Sequence, residues 1–151
     1  MLPRAASGFS SAKESSAFLR MNTIWLLLAS NVLMTVAWYW HLKAPASVPL
    51  LGFILISWLI ALPEYGLAVP ANRMGHVSLG GSFSAAQLKI IQEALALVVF
   101  LIFLLVVLKE ALRWQEYVGM ALIMTGLGVA LSGRTRYAAA SVKPAITEVQ
   151  P

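Results

Sequence analysis

An unbroken apolar run from Ala94 to Leu108 sets the limits on what this chain can become. It sits in a longer stretch, Ser82 to Arg113 (SFSAAQLKIIQEALALVVFLIFLLVVLKEALR), and is entered through Lys89, Gln92 and Glu93. Ser84 followed three residues later by Gln87 reads as a capping box, and Phe83 with Leu88 as the hydrophobic staple around it. A helix from Ser84 to Leu108 is roughly 37 Å long at about 1.5 Å per residue, more than the roughly 30 Å of hydrocarbon in a bilayer. It can span, with its first turns left over, and those turns carry the charge.

Of the 151 residues, 60% are hydrophobic and 11% charged, against about a quarter charged in an average globular protein. So short a chain has no core in which such runs could hide, and the lipid bilayer is its solvent and first partner. The formal charge of +5 would by itself suit nucleic acid. The excess lies in the tails and connecting loops, where membrane topology uses it, so nucleic acid is excluded as a partner. Without cysteine, neither a disulfide framework nor a thiolate metal site is available.

The chain reads as all-α, an integral membrane bundle of four transmembrane helices over residues 21–133, with spans near 22–40, 48–69, 84–108 and 117–132. Residues 1–20 are Ser/Ala-rich and lack a secretory apolar core. Their composition is compatible with a transit segment, but Met21 stands directly before the first apolar run, which suits a disordered tail or an extended start. In the first span Trp38, Tyr39 and Trp40, followed by His41 and Lys43, read as an interfacial aromatic belt with a snorkelling cation. A short loop with two prolines leads to the second span, where Pro63 beside Glu64 predicts a break or kink. Pro70 to Gly81 reads as the longest loop. The fourth span places Gly119, Gly126 and Gly133 at every seventh residue, on one face suited to close helix packing within the bundle or at a dimer seam. Residues 134–151 read as a disordered tail.

Orientation follows from the basic residues. Eight of them (Arg4, Lys13, Arg20, Arg73, Lys89, Arg134, Arg136, Lys143) fall on one side and three (Lys43, Lys109, Arg113) on the other. The positive-inside rule then makes both termini cytoplasmic, in an inner membrane of bacterial type.

Four segments together carry a family resemblance: SNVLMTVAWYWHLK (Ser30 to Lys43), ISWLIALPEYGLAVPANRMG (Ile56 to Gly75), FSAAQLKIIQEALALVVF (Phe83 to Phe100) and LKEALRWQEYVGMALIMTG (Leu108 to Gly126). The chain from Met21 to Gly133 resembles the four-helix branch of the drug/metabolite transporter (DMT) superfamily that is catalogued as a domain of unknown function. The resemblance implies a transporter superfamily and no particular substrate. The small multidrug-resistance branch, similar in size, works as a dimer and uses a glutamate embedded in its first helix. Here the first span has Asn31 and no carboxylate, so any such role passes to Glu64 or Glu93.

Glu64, Glu93 and Asn31 are accordingly the candidates for substrate or ion binding, with Lys89, Gln92 and Arg73 in support. Counted from the cytoplasmic end of their spans, the three lie at one depth, roughly 9 to 14 Å along each helix. An ionisable group there faces the bundle interior, because lipid exposure costs at least about 2.5 kcal/mol. Lys89, one turn from Glu93, assigns Glu93 to a structural pair and leaves Glu64, beside Pro63, for reversible protonation or ligand binding. His41 reads as interfacial, and Arg73 as a positive-inside charge at a helix end or a lid over the cavity. No metal, cofactor or catalytic motif is indicated, so no enzyme is expected. Two functions remain open: a homo-oligomeric (dimeric) transporter of a small metabolite or drug-like solute, and a non-transporting subunit or assembly factor acting through helix contacts.

Overall fold

The computed structural model describes residues 6–132 except residue 46, with side chains from residue 14 onward. Gly133, the tail from Arg134 and the first five residues, and with them Arg4, Arg134, Arg136 and Lys143 of the charge count, lie outside the described residues. Four helices follow one another: α1 (Ala6–Tyr39), α2 (Leu50–Gly75), α3 (Ala85–Phe103) and α4 (Trp114–Ser132). No strand occurs among the described residues.

Residues 6–20, read above as a tail, form the first turns of α1. Ala, Lys, Glu, Leu and Arg are good helix formers, no proline interrupts them, and a helix already nucleated downstream propagates through such a segment. At its other end α1 tightens into a 3₁₀ turn, Trp40–Lys43. Pro49 then takes the N-cap position of α2, and its carbonyl accepts from the Gly52 amide at 2.9 Å.

Helix α2 departs from expectation twice. It is continuous through Pro63, where a break or kink was expected, so there is no break, and through Pro70 to Gly75, where a loop was expected. Both prolines lie on the exposed side of α2, seven residues apart and so on one face, while Glu64, Ala68, Ala71 and Gly75 form the buried face. Proline is tolerated in a membrane helix when its missing bond falls where the surroundings can accommodate it. The connection to α3 is therefore the shorter and tighter stretch from His76 to Ser84. Within it a 3₁₀ turn (Val77–Leu79) leads to Gly80 at φ +89°, a left-handed conformation that suits glycine. Its amides are tied back: Phe83 to the Gly75 carbonyl at 2.9 Å, and Val77 to the Phe83 carbonyl at 2.9 Å.

The capping box forms as read, with Gln87 N–H donating to Ser84 Oγ at 3.2 Å and Ser84 N–H to Gln87 Oε1 at 3.0 Å. Phe83 and Leu88 pack with Leu27 and Ala71 in one buried cluster, which fixes the entry of α3. At its far end α3 passes into a π-helical turn, Leu104–Leu108, closed by Lys109 in the left-handed region at φ 56°. There Phe103, Leu104 and Leu108 form a second cluster with Val36 and Tyr39 of α1 and with Leu112.

The seam between α1 and α2 is built of small and hydroxyl side chains: Thr23, Ser30 and Asn31 on one helix, Ala68, Ala71 and Gly75 on the other. A Cβ placed on Gly75 would lie 2.7 Å from Thr23 Cγ2 and 2.8 Å from Leu88 Cδ2. In lipid there is no hydrophobic drive between apolar helices, and association rests on this kind of close approach. The glycines that sequence reasoning chose are elsewhere. Nothing among the described residues lies within 4 Å of a Cβ placed on Gly119 or Gly126, so no described helix uses that face. Helix α4 has no buried residue and packs on α3.

Three helical segments, Glu14–Lys43, Leu50–Gly75 and Ala85–Leu108, are long and apolar enough to cross a membrane. Helix α4, with Gln115 and Glu116 in its first turn, is not among them. Reporter fusions decide its status. Fusions after Lys43 and after Gly81 are expected to report opposite compartments, and one after Ser132 the same compartment as Gly81. Agreement between the Lys43 and Gly81 fusions would remove the alternating topology, and a Ser132 fusion that reports with Lys43 would remove α4 as a span.

Candidate functional site

Helices α1, α2 and α3 enclose a cavity of about 480 Å³. Its lining follows helical periodicity. Helix α1 contributes Ser30, Asn31, Met34, Thr35, Trp38 and Tyr39, and α3 contributes Lys89, Gln92, Glu93, Ala96 and Phe100. Each set recurs at three- and four-residue steps, so each is one stripe of its helix. Glu64 is the single residue that α2 supplies.

Glu64 is 4% exposed and accepts a hydrogen bond from Ser30 Oγ at 2.8 Å. The bond fixes the level at which α1 and α2 meet. No cation pairs with Glu64 among the described residues. An ionised carboxylate offers about four lone-pair sites, and no buried side-chain oxygen or nitrogen is left without a partner among the described residues. The acceptor capacity that Ser30 does not use is therefore reached from the cavity. Asn31 is buried beside it and donates its Nδ2 to the Leu27 carbonyl at 2.7 Å, one turn back on its own helix. Its oxygen is the group it offers the cavity.

Lys89 and Glu93 form the i, i+4 ion pair expected from their spacing. The pair lies at the cavity edge, with side chains 71% and 51% exposed. Exposed pairs of this kind contribute about 0.3–0.5 kcal/mol. Glu93→Gln is therefore expected to lower stability by no more than about 0.5 kcal/mol, read from unfolding in detergent. A loss several times larger would show that the pair holds the cavity wall.

The structure thus brings Asn31, Glu64, Glu93, Lys89 and Gln92 to one cavity and leaves Arg73 out of it. Arg73 lines a second, smaller hollow of about 390 Å³ with Asn72 and His76, where α2 ends and α3 begins. Lys89 and Gln92 border both hollows. Arg73 is exposed and forms no lid over Glu64. His41 is exposed at the end of α1, its ring 6.0 Å from that of Phe53.

Ser30, Thr35, Tyr39 and Phe100 were not among the sequence candidates. Tyr39 was assigned to the interfacial belt, yet its ring packs 4.7 Å from that of Phe100, and both line the cavity. The usable signal was the spacing of Ser30, Asn31 and Thr35, which puts three polar groups on one face of an otherwise apolar helix.

Apolar helices able to cross a bilayer, folded around an internal polar cavity, define an integral membrane protein. Over residues 23–131 it matches the model of the DMT superfamily family DUF486, and the chain belongs to that family. No curated protein and no solved structure matches it.

Proposed function

We propose that the protein moves a small solute across the membrane and that the Glu64 cavity is where the solute binds. The observation that carries this reading is the open cavity within the spanning helices, lined by both candidate carboxylates. Had Glu64 and Glu93 been buried against each other or against Lys89, with no space between them, the assembly role would have been the better reading. Membership of the DMT superfamily, whose members are transporters, supports the same reading. The partner we propose is a second copy of the chain, seated on the open glycine face of α4, where Gly119 and Gly126 leave room for a close approach.

Reconstitution into liposomes with a panel of metabolites, with a pH gradient on and off, tests the reading. At least one solute is expected to enter faster than into protein-free vesicles and to lose that advantage with Glu64→Gln. Uptake that the variant leaves unchanged for every transported solute would remove the cavity from the mechanism.

A further inference from the structure

We infer that the hollow where α2 ends and α3 begins binds an anionic phospholipid, with Arg73 on its phosphate and Val69 and Leu79 against its glycerol and the first carbons of its chains. The site shares only Lys89 and Gln92 with the Glu64 cavity and does not depend on what that cavity binds. Its charge and its donors point to a phosphate group. Its depth and its apolar flank point to a lipid as the molecule that carries one.

Arg73 supplies the charge. It is exposed in the last turn of α2, and among the described residues no carboxylate pairs with it. Lys89 borders the hollow from the second turn of α3, although Glu93 already pairs with it. No carboxylate of the described residues lines the hollow. A cation entering would meet Arg73 with nothing there to hold it. A phosphate would meet a guanidinium whose planar fork matches two of its oxygens.

The neutral groups add to it. The Ser78 amide donates to His76 Nδ1 at 3.3 Å, and Ser78 Oγ lies 2.6 Å from the same nitrogen. Nδ1 is therefore the acceptor nitrogen, and the neutral ring carries its proton on Nε2, as a donor. His76 lines the hollow together with Asn72 and Gln92. Each of these two amides has an NH₂ that can donate to a phosphate and a carbonyl that can accept from the hydroxyls of a polyol head group.

Depth then favours a lipid over a free anion. The 26-residue segment Leu50–Gly75 is roughly 39 Å long at about 1.5 Å per residue, against roughly 30 Å of bilayer hydrocarbon. Arg73, two residues from the end of that segment, accordingly lies at the level of the head groups, where basic pockets between spanning helices hold anionic ones. Val69, one turn before Arg73, and Leu79 also line the hollow, and they are 43% and 56% exposed. Inorganic phosphate would leave both bare. A lipid whose phosphate sits on Arg73 covers them, and about 390 Å³ is room for its head group while the chains continue along the exposed apolar side of α2.

Equilibrium binding to the full-length protein in an uncharged detergent tests this, read by isothermal titration calorimetry with dioctanoyl lipids that differ only in head group. Dioctanoyl phosphatidylglycerol is expected to bind about tenfold more tightly than dioctanoyl phosphatidylcholine, whose own ammonium offsets the phosphate, and than dioctanoylglycerol, which has no phosphate. Arg73→Gln should weaken binding of phosphatidylglycerol about tenfold, and Arg73→Lys, which keeps the charge without the fork, should weaken it less. Arg20→Gln removes another exposed basic residue, one that does not line the hollow, and should change nothing.

The comparison among lipids uses the parent protein and so does not depend on how any variant folds. Equal binding of phosphatidylglycerol and phosphatidylcholine, or binding of neither, would overturn the proposal. So would equal losses in the Arg73 and Arg20 variants, because the attraction would then be one of diffuse surface charge. Inorganic phosphate should not displace the lipid at comparable concentration, and displacement there would assign the hollow to a free anion instead.

Discussion

Glu64→Gln is expected to leave the helices assembled and to abolish solute uptake in proteoliposomes. The amide keeps the size of the side chain and can still accept from Ser30 Oγ, the one side-chain hydrogen bond of Glu64 among the described residues. Folding is therefore expected to survive, with thermal unfolding in detergent close to that of the parent. What is lost is the carboxylate, on which recognition of a ligand at this position depends. Ser30→Ala is the companion: it removes the donor that orients the carboxylate and should weaken apparent affinity about tenfold, the equivalent of roughly 1.4 kcal/mol. If Glu64→Gln transports normally while Glu93→Gln folds well and is inactive, the roles of the two carboxylates are reversed.

The second large effect is on stability. Gly75→Leu should fail to assemble or lose several kcal/mol, because even the first carbon of the new side chain would collide with two neighbours. Neither neighbour can yield easily, since Thr23 is 0% and Leu88 4% exposed. A Cβ placed on Gly126 or on Gly128 meets nothing within 4 Å among the described residues, so Gly126→Leu and Gly128→Leu should both unfold like the parent when measured on the monomer. Loss of an oligomer in the Gly126 variant alone would assign that face to a second copy. A Gly75→Leu protein as stable as the parent would show that α1 and α2 meet otherwise than described.

Helix entry at Ser84, the staple of Phe83 with Leu88 and the Lys89–Glu93 pair could all be read from the sequence, because each depends on residues within one or two turns. Seams between helices could not. In a water-soluble bundle, apolar periodicity marks the inner face. In a bilayer the outer face is equally apolar, and the inner one is distinguished by small and weakly polar residues. The exposed surface here includes Leu50, Leu51, Trp58, Leu62 and Leu122, whereas Thr23, Ser30 and Ala71 are inside. The seven-residue glycine pattern of α4 was conspicuous and has no partner among the described residues of this chain. The seam of α2, with alanines in two of its three small positions, was not conspicuous and is in use. Pro70 was read as the start of a loop, and on the exposed side of α2 it does not end the helix. Of the candidate site, Asn31, Glu64 and Glu93, all three of which line the cavity, with Glu93 at its exposed edge, were singled out by counting depth. The hydroxyl that joins Glu64 to α1 was not, since it lies 34 residues away in the chain.

The two apolar clusters sit at opposite ends of the cavity, and α3 takes part in both. Mechanically, α3 is a beam held at two supports, with one face of the span between them bordering the cavity. A load on its middle, such as an occupant too wide for the gap, is not absorbed locally and is carried to the supports. The beam either bows or lifts from one of them. Release at the Leu88 end leaves a lever that swings about Phe103 and Leu104. Release at the Phe103 end would reverse the fulcrum, and the gap would then open at the opposite end of the helix.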